Sequence, residues 1–482
     1  MRFFPAWASV AVALVAPSSA AAYCPTVIPG LDLDSAPASG RDRMALVVPD
    51  AGPTTSERRA RESLLRGEVV NSLHGKLPTG PRVACVSQMS NSQLIGVPEG
   101  GVQANDRRYV FVVAAPPGVF VSDSTRIPGL ISIADIAHPE RLRVREHADP
   151  VAYLRALDER IRDNGRARVP AGLLATAIIA ALVWARPRAA VLAFGTVALT
   201  NLLLGAAGVS EPWAVVPLVA LGALAAVPLA LLLHGAPAVG LFLASVVVAY
   251  LAVLGLEGTW VSLSPLGPSQ NGRFYGVSNL LETMLLVPAL GAAWLLGRRW
   301  GWAPFAAVAA VSLVAVAGSR FGADGGGAFV LAAGFALLAV ALAGGGRRAV
   351  PAAALAGAAA VAVIAADAVL GPMTHVGESV RAGPGEVLAD VADRLVLSWR
   401  RATADAAVAL AVAGSIVALA GLVVRGPRRP LPLAFAAAIG VSLLVNDSPR
   451  EVAVGGLVGY LALARGERER PDYTASETGS RS

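Results

Sequence analysis

The side chains best suited to chemistry lie near the ends of apolar segments in the second half of the chain. Tyr275, Asn279 and Glu282 are spaced i, i+4 and i+7, which predicts that one helical face carries all three. A carboxylate inside an apolar segment costs roughly 2.5–3.5 kcal/mol on insertion scales, so we expect Glu282 to face a partner or water. Arg273 and Arg320 are the partners that the sequence offers.

When the apolar segments are placed across a bilayer one after another, further polar residues lie at the same membrane depth as these. The candidate binding residues are Arg273, Tyr275, Asn279, Glu282, Arg320, Asp324, Asp367, His375, Asn446 and Asp447. As a set they predict an outward-facing polar cavity that binds a substrate headgroup. For any one of them, the simpler interpretation is an ion pair that holds two helices together.

The sequence offers one further candidate for an anion site and no pattern typical of a metal site. The stretch Gly322–Gly327 can present backbone N–H groups to an anion beside Arg320, or it can be a flexible tight turn. The five histidines are scattered, and neither His-x-x-x-His nor Cys-x-x-Cys occurs, so we expect no metal. A Gly-x-Ser-x-Gly nucleophile elbow is absent as well, and we expect no cofactor.

The elements that position these residues are apolar helices. Hydrophobic residues make up 55% of the chain and charged residues 15%, against about one quarter charged in ordinary soluble domains. The fold class is therefore predicted as an α-helical polytopic membrane protein of about eleven transmembrane helices, at roughly 17–25 residues each, with a small exported N-terminal α/β domain. The spans begin near Val169, Ala189, Trp213, Pro237, Val277, Trp300, Ala328, Ala349, Ala404, Leu431 and Val452.

Arginines fall on alternate loops between these spans. They are Arg186, Arg188, Arg298, Arg299, Arg347, Arg348, Arg425, Arg428, Arg429, Arg465, Arg468 and Arg470. The positive-inside rule predicts that those loops and the C-terminus lie on the cytoplasmic side of the plasma membrane. The net charge of +7 is thus explained by topology, and nucleic acid is not expected as a partner. Residues 466–482 are predicted to form a disordered cytoplasmic tail.

The N-terminal part is predicted to be exported. Residues 1–22 have the pattern of a signal peptide, with Arg2, a short apolar run and a small-residue cleavage site, although an uncleaved anchor is the alternative. Residues 23–165 then form the exported domain, and residues 166–465 form the multi-pass domain. Cys24 and Cys85 are candidates for a disulfide in an oxidising compartment; two buried free thiols are the alternative.

Two amphipathic helices are predicted outside the spans. Asp149 and Pro150 open one, with Val151, Leu154, Leu157 and Ile161 on one face, and this helix leads directly into the membrane. The second covers Glu386–Arg401, with a stripe formed by Leu388, Val391, Leu395 and Trp399. It fits a helix lying on the outer leaflet, or one that covers the bundle or packs on the exported domain.

Several motifs resemble known families. Gly272-Arg-Phe-Tyr-Gly-Val-Ser-Asn279, Phe321-Gly-Ala-Asp-Gly-Gly-Gly327 and Val445-Asn-Asp-Ser448 are similar to an uncharacterised family of bacterial multi-pass membrane proteins, over roughly residues 165–465. Phe120–Ala137 resembles the closing strand region of alkaline-phosphatase-like domains, with Val47-Val-Pro-Asp50 as an echo of the opening strand. That family needs more metal ligands than this segment has, so the resemblance implies a shortened, catalytically inactive remnant.

Three functions follow as hypotheses. The first is binding or translocation of an anionic, phosphate-bearing lipid or glycan precursor of the cell envelope. The second is a membrane-embedded transferase at the outer face, with Glu282 or Asp367 as general base and Arg273 and Arg320 holding a phosphate. The third is a non-catalytic scaffold or sensor. Whether the protein is an enzyme stays open at this point; the lipid bilayer is the one partner expected under all three.

Overall fold

The computed structural model describes most of the second half of the chain and a framework of the first. The described positions are residues 26–29, 33, 42–48, 54–55, 93–97, 102–103, 108–136, 142–270, 273–318, 320–322, 325–344, several between 350 and 362, 384–403, 405–446 and 448–468. Predictions that fall outside these residues are the signal peptide, the Cys24–Cys85 disulfide, the eighth span and the C-terminal tail.

Helices dominate the described chain. They are α1 (Ile133–Ile136), α2 (Pro150–Ala185), α3 (Pro187–Ala207), α4 (Pro212–Leu224), α5 (Ala226–Leu232), α6 (Gly235–Glu257), α7 (Thr259–Ser262), α8 (Asn279–Trp300), α9 (Trp302–Ala317), α10 (Gly325–Leu342), α11 (Pro384–Ala402), α12 (Ala406–Arg425), α13 (Pro430–Val445) and α14 (Pro449–Gly466). Seven helices in the described chain, counting α4 and α5 as one, are long and apolar enough to cross a membrane. A helical multi-pass membrane protein is thereby confirmed, while the count of eleven spans stays a prediction.

Helix α8 is the centre of the bundle. Every residue from Leu281 to Gly297 is buried, and α8 packs against α3, α6, α9, α10, α13 and α14. By contrast, α12 buries only Val412, Ser415 and Leu419. A helix that is apolar on all sides and enclosed by protein is typical of the centre of a bundle. The other helices are therefore arranged around α8.

Arginines of several loops gather at one end of the bundle, the arginine-rich end. At one end the Arg188 side chain donates to the Leu233 carbonyl, and the Arg465 guanidinium lies 3.4 Å from the ring centre of Trp184. Arg298 and Arg299 close the last turn of α8 at this same end. The opposite end carries the segment 258–278 and the N-terminal domain. This separation agrees with the predicted alternation of loops, whereas the side that faces the cytoplasm stays a prediction.

The N-terminal domain is built on a mixed sheet. Its strands are β1 (Thr26–Pro29), β2 (Asp42–Val48), β3 (Thr54–Thr55), β4 (Gln93–Val97), β5 (Val102–Gln103), β6 (Tyr109–Ala114), β7 (Gly118–Val121), β8 (Leu130–Ser132) and β9 (Arg143–Glu146). The main sheet has the order β1-β4-β6-β2-β7-β9, with β8 also paired to β2, and β3 pairs with β5. Strand β2 runs antiparallel to β6 and parallel to β7 and β8.

Strand β2 is buried on both faces. Met44 and Leu46 point into the core that faces the membrane bundle, and Ala45 and Val47 point into a second core with Phe111. This two-sided burial explains why the segment is a continuous apolar run instead of an alternating one. The apolar runs Met44–Val48 and Tyr109–Ala114 both form strands.

Helix α2 connects the domain to the bundle without a break. The Asp149 side chain caps it by accepting from the Ala152 amide, with Pro150 at its first position. The predicted stripe of Leu154, Leu157 and Ile161 packs on the sheet. Over 36 residues α2 extends about 54 Å, so the domain is carried on the same rigid element that enters the bundle.

Candidate functional site

The segment 258–278, which joins α6 to α8, is held by buried hydrogen bonds. The Asn201 amide of α3 donates to the Ser264 hydroxyl at 2.9 Å, and its carbonyl oxygen accepts from the Leu266 amide at 2.9 Å. From α2, Asn164 donates to the Leu263 carbonyl at 2.8 Å. Arg168 donates to the carbonyls of two prolines in the segment, at 3.2 and 2.8 Å. The described residues of this segment, 258–270 and 273–278, are therefore a fixed part of the bundle end.

The same segment is shared with the N-terminal domain. Leu263 and Phe274 belong to the hydrophobic core formed by β2, β6 and α2. The Arg126 guanidinium lies 3.9 Å from the ring centre of Tyr275, which is a cation–π distance. Arg126 has a φ of +56, a left-handed conformation that is rare for a residue other than glycine.

Helix α8 begins at Asn279, later than the predicted face requires. The Ser278 hydroxyl caps it by accepting from the Leu281 amide, and Gly276 has a φ of +82 just before the cap. Tyr275 lies outside the helix, so the prediction that it shares a helical face with Asn279 and Glu282 is wrong. The reason is local. The left-handed conformation of Gly276 and the cap by Ser278 change the direction of the chain just before the helix, so Tyr275 lies towards the N-terminal domain.

Glu282 is buried, with 1% of its surface exposed, and it is bonded to the far part of the chain. The Asn446 amide, at the end of α13, donates to Glu282 Oε2 at 2.6 Å and to the Ser442 hydroxyl at 2.8 Å. Glu282 also lies in the first turn of α8, where the partial positive charge of the helix terminus favours an anion. Both effects reduce the cost of holding the carboxylate in an apolar bundle.

A second set of bonds lies one turn earlier. Arg273 Nη1 donates to the Asn279 side-chain oxygen at 2.9 Å. The Asn279 amide in turn donates to the Ser448 hydroxyl at 3.1 Å. Arg273 is half-buried, so part of its guanidinium reaches the surface of the bundle end. We refer to Arg273, Asn279, Glu282, Asn446 and Ser448 as the polar cluster.

The two glycine-containing motifs meet through their backbones. The Val277 amide donates to the Gly322 carbonyl at 2.9 Å. A Cβ on Gly276 would lie 1.9 Å from that same oxygen, so only glycine allows this approach. Gly325, Gly326 and Gly327 form the first turn of α10, whose N–H groups are oriented as an anion site requires. The contact between the two motifs therefore has a structural role, which does not depend on whether Gly325, Gly326 and Gly327 bind an anion.

The predicted site residues separate into three groups. Arg273, Asn279, Glu282 and Asn446 come together, and Tyr275 adjoins them on the side of the N-terminal domain. Arg320 is exposed on its turn; in the described chain Glu282 is bonded by Asn446 and not by Arg320. The remaining predicted residues, which lie outside the described chain, are Asp324, Asp367, His375 and Asp447.

Sequence reasoning missed three side chains that support the site. Asn164 belongs to the buried stripe of α2 that runs through Leu157, Ile161, Ala171 and Ala175, and the half-buried Arg168 lies one turn further along. Polar residues at apolar positions of a regular stripe were the available signal. Gln270 donates to the Ser262 carbonyl at 2.6 Å and has a φ of +58, which no sequence pattern announces.

Within the described residues, no group of three His, Cys, Asp or Glu side chains is placed to hold a metal ion. Ser122, Ser124 and the Ser132 amide all donate to one oxygen of Asp135 in the N-terminal domain. That carboxylate accordingly has a structural role in fixing the turn before α1. Comparison with protein families, curated proteins and solved structures gives no match, so the two family resemblances remain predictions.

Proposed function

We propose that the protein binds an anionic, phosphate-bearing precursor of the cell envelope at the polar cluster, and that this binding serves its translocation. The observation that carries the proposal is the convergence of a half-buried arginine, two asparagines, a serine and a buried carboxylate. They come from residues 273–282, around the start of α8, and from the turn between α13 and α14, and the bonded pairs are 164 and 169 residues apart in sequence.

Arg273 is the residue suited to contact the ligand. A guanidinium binds phosphate oxygens through two parallel hydrogen bonds, and the contact strengthens where water is partly excluded. Asn279 fixes the orientation of Arg273, and the Ser448 hydroxyl beside Asn279 offers a neutral hydrogen-bonding group. Arg126 and Arg320 add positive charge at the same end of the bundle, which attracts an anion from a distance.

Glu282 is a positioning residue in this proposal. Its carboxylate is buried and holds Asn446, which fixes the end of α13 against the start of α8. A general base must come within hydrogen-bond reach of the proton that it removes. A carboxylate enclosed in the bundle and bonded to an amide does not meet that condition, and for this reason we favour binding over transferase chemistry that uses Glu282 as its base.

Orientation and location belong to the same proposal. The arginine-rich end would face the cytoplasm under the positive-inside rule. The N-terminal domain and the polar cluster would then lie on the outer side of the plasma membrane, where envelope precursors are used. The domain would serve as a support for the segment 258–278.

Binding is tested with the full chain in nanodiscs of zwitterionic lipid, titrated with dodecyl phosphate as a minimal lipid phosphate. A hydrogen bond to a charged group contributes about 1.5–3 kcal/mol, and tenfold in affinity corresponds to about 1.4 kcal/mol. We therefore expect Arg273→Gln to weaken binding at least tenfold.

The matched control is Arg320→Gln, which removes one exposed arginine from the same end of the bundle. It should change the affinity less than threefold at moderate salt, since exposed charges are screened. Equal losses in the two variants would show that net charge alone attracts the ligand. No saturable binding of dodecyl phosphate by the wild-type protein would remove the proposal.

Translocation needs its own measurement. Proteoliposomes with a fluorescent phosphate-bearing lipid report transfer between leaflets when an impermeant reductant bleaches the outer leaflet. Wild-type protein should raise the bleached fraction, and Arg273→Gln should return it to the level of empty liposomes. Binding without transfer would limit the function to capture.

A further inference from the structure

Helix α11 (Pro384–Ala402) cannot cross the membrane. Its 19 residues contain six charged positions, each costing roughly 2.5–3.5 kcal/mol at the centre of a bilayer. It is also not one of the candidate spans. A helix with this composition must lie against the protein, in water, or along the membrane surface.

The position of α11 is set by its neighbours. It packs against α12, α13 and α14. Only residues 426–429 separate the end of α12 from the start of α13, so Asp405 at the start of α12 lies at the same end of the bundle as Asn446. Because Thr403 to Asp405 connect α11 to α12, the C-terminal end of α11 lies at the level of the polar cluster.

Three large apolar side chains near the C-terminal end of α11 face away from the protein. Trp399 is 70% exposed, Val396 47% and Leu395 39%, whereas Leu397 and Ser398 are buried. Leu395 and Trp399 are one turn apart, so they occupy the same face. A soluble helix covering the bundle would present this face inward; here the bundle contacts the side that carries Leu397 and Ser398.

We propose that α11 is a membrane-surface helix that inserts Leu395, Val396 and Trp399 into the leaflet on the side of the N-terminal domain and binds anionic phospholipid headgroups. Tryptophan favours the headgroup level because its ring is apolar and its N–H is polar. Arg400 is exposed and Arg401 half-buried in the last turn, next to Trp399, and arginines there attract lipid phosphates.

This proposal goes beyond the proposed function, because it names a lipid contact outside the polar cluster. It also indicates a direction of approach. Helix α11 lies against α13 and α14, which supply Asn446 and Ser448. A lipid bound along α11 is thus next to the turn that closes the polar cluster.

The test measures the depth of Trp399 in nanodiscs that hold the full chain. The contribution of Trp399 is obtained by subtracting the tryptophan fluorescence of Trp399→Phe from that of the wild type. Lipids brominated near the headgroup or near the bilayer centre quench tryptophan within contact range. We expect the Trp399 component to be quenched at least twofold more by the shallow bromines than by the deep ones.

Trp294→Phe provides the control, because Trp294 is buried in α8 and should be quenched by neither lipid. Quenching of Trp399 no greater than that of Trp294 would overturn the proposal, and so would stronger quenching by the deep bromines. If quenching is absent and the discs contain two copies of the chain, the face is a contact between copies and the proposal is wrong.

The headgroup part has a separate readout. Replacing phosphatidylglycerol by phosphatidylcholine should reduce shallow quenching in the wild type. It should have little effect in a variant that carries Arg400→Gln and Arg401→Gln. The same response to lipid charge in both proteins would show that these arginines do not bind headgroups. Neither result depends on dodecyl phosphate binding, so the two proposals fail independently.

Discussion

Glu282 shows how a single residue can be identified from sequence while its partner is missed. An ionisable residue inside an apolar span predicts a buried contact, and Glu282 is buried. The expected partners were arginines, because charge complementarity is the simplest way to neutralise a carboxylate. The bond to Asn446 instead combines a neutral amide with the start of a helix, an arrangement that depends on the packing of α13 against α8.

Substitution of Glu282 separates support from ligand contact. Glu282→Gln keeps an oxygen that accepts from Asn446, so we expect it to fold and to bind dodecyl phosphate within threefold of the wild type. Glu282→Ala removes the acceptor and leaves a cavity, at a cost of about 2–4 kcal/mol. Thermal unfolding in detergent and titration in nanodiscs measure both effects.

Glu257→Ala is the control for these variants, because Glu257 is exposed at the end of α6 and its loss should change stability by less than about 0.5 kcal/mol. A Gln variant at 282 that folds normally but loses ligand binding would contradict the positioning role and assign the carboxylate to the ligand site.

Gly276 is expected to be intolerant of any side chain. Its φ is +82, and a Cβ would lie 1.9 Å from the Gly322 carbonyl oxygen. Gly208 provides a matched comparison, with a φ of +71 and the closest neighbour of an added Cβ at 3.8 Å. Gly208→Ala should cost about 1–2 kcal/mol from backbone strain alone.

Gly276→Ala should cost more, because the backbone of Arg320–Gly322 must also move. A difference below about 1 kcal/mol between the two alanine variants, measured by thermal unfolding, would mean that the two motifs separate without penalty.

At the scale of elements, α2 was predicted most completely from the sequence, yet the contacts of two of its polar residues were not predicted. Its cap, its proline and its apolar stripe were visible in the sequence, and the helix begins at Pro150 as expected. Asn164 and Arg168 continue the stripe into the segment 258–278, yet nothing in the sequence specifies which carbonyls they bind. Contacts between residues about 100 positions apart are set by the bundle as a whole.

Arg168 and Arg166 make a controlled pair on this helix. Arg168 binds two carbonyls of the segment 258–278. Arg166 is exposed and forms an i, i+3 pair with Asp163 at 3.5 Å. Arg168→Ala should lower the stability by about 2–3 kcal/mol, and Arg166→Ala by less than about 0.5 kcal/mol.

Hydrogen exchange should rise in residues 261–270 of the Arg168 variant. Unchanged exchange there, or equal loss of stability in the two variants, would show that the bonds from α2 do not hold the segment.

At the scale of the whole molecule, composition predicted a helical multi-pass membrane protein, and seven helices in the described chain are long and apolar enough to cross a membrane. Within the described residues the loops that carry the predicted inner arginines lie at one end of the bundle, and the N-terminal domain shares the other end with the polar cluster. The central position of α8 was not predictable, because several other spans are more apolar than α8 and yet less buried. The burial of a helix in a bundle depends on the helices around it. The hydrophobic pattern of one span carries no information about those neighbours.

Topology is tested by cysteine accessibility in a chain with Cys24 and Cys85 replaced by serine. Arg320→Cys lies at the end that we place outside, and Arg428→Cys at the arginine-rich end; both positions are exposed. An impermeant maleimide should label only the first in sealed cells and both after permeabilisation. Labelling of the second in sealed cells would reverse the orientation.

The bond between Glu282 and Asn446 also constrains biosynthesis. Asn446 follows Glu282 by 164 residues in the chain, and ribosomes add about 5–20 residues per second. On the order of 10 to 30 seconds therefore pass in which α8 has been made and its amide partner has not. During that interval the nascent chain carries a carboxylate in an apolar helix without the hydrogen bond from Asn446. Chains truncated before α13 should therefore remain with the insertion machinery or be degraded, even though every span up to that point is complete.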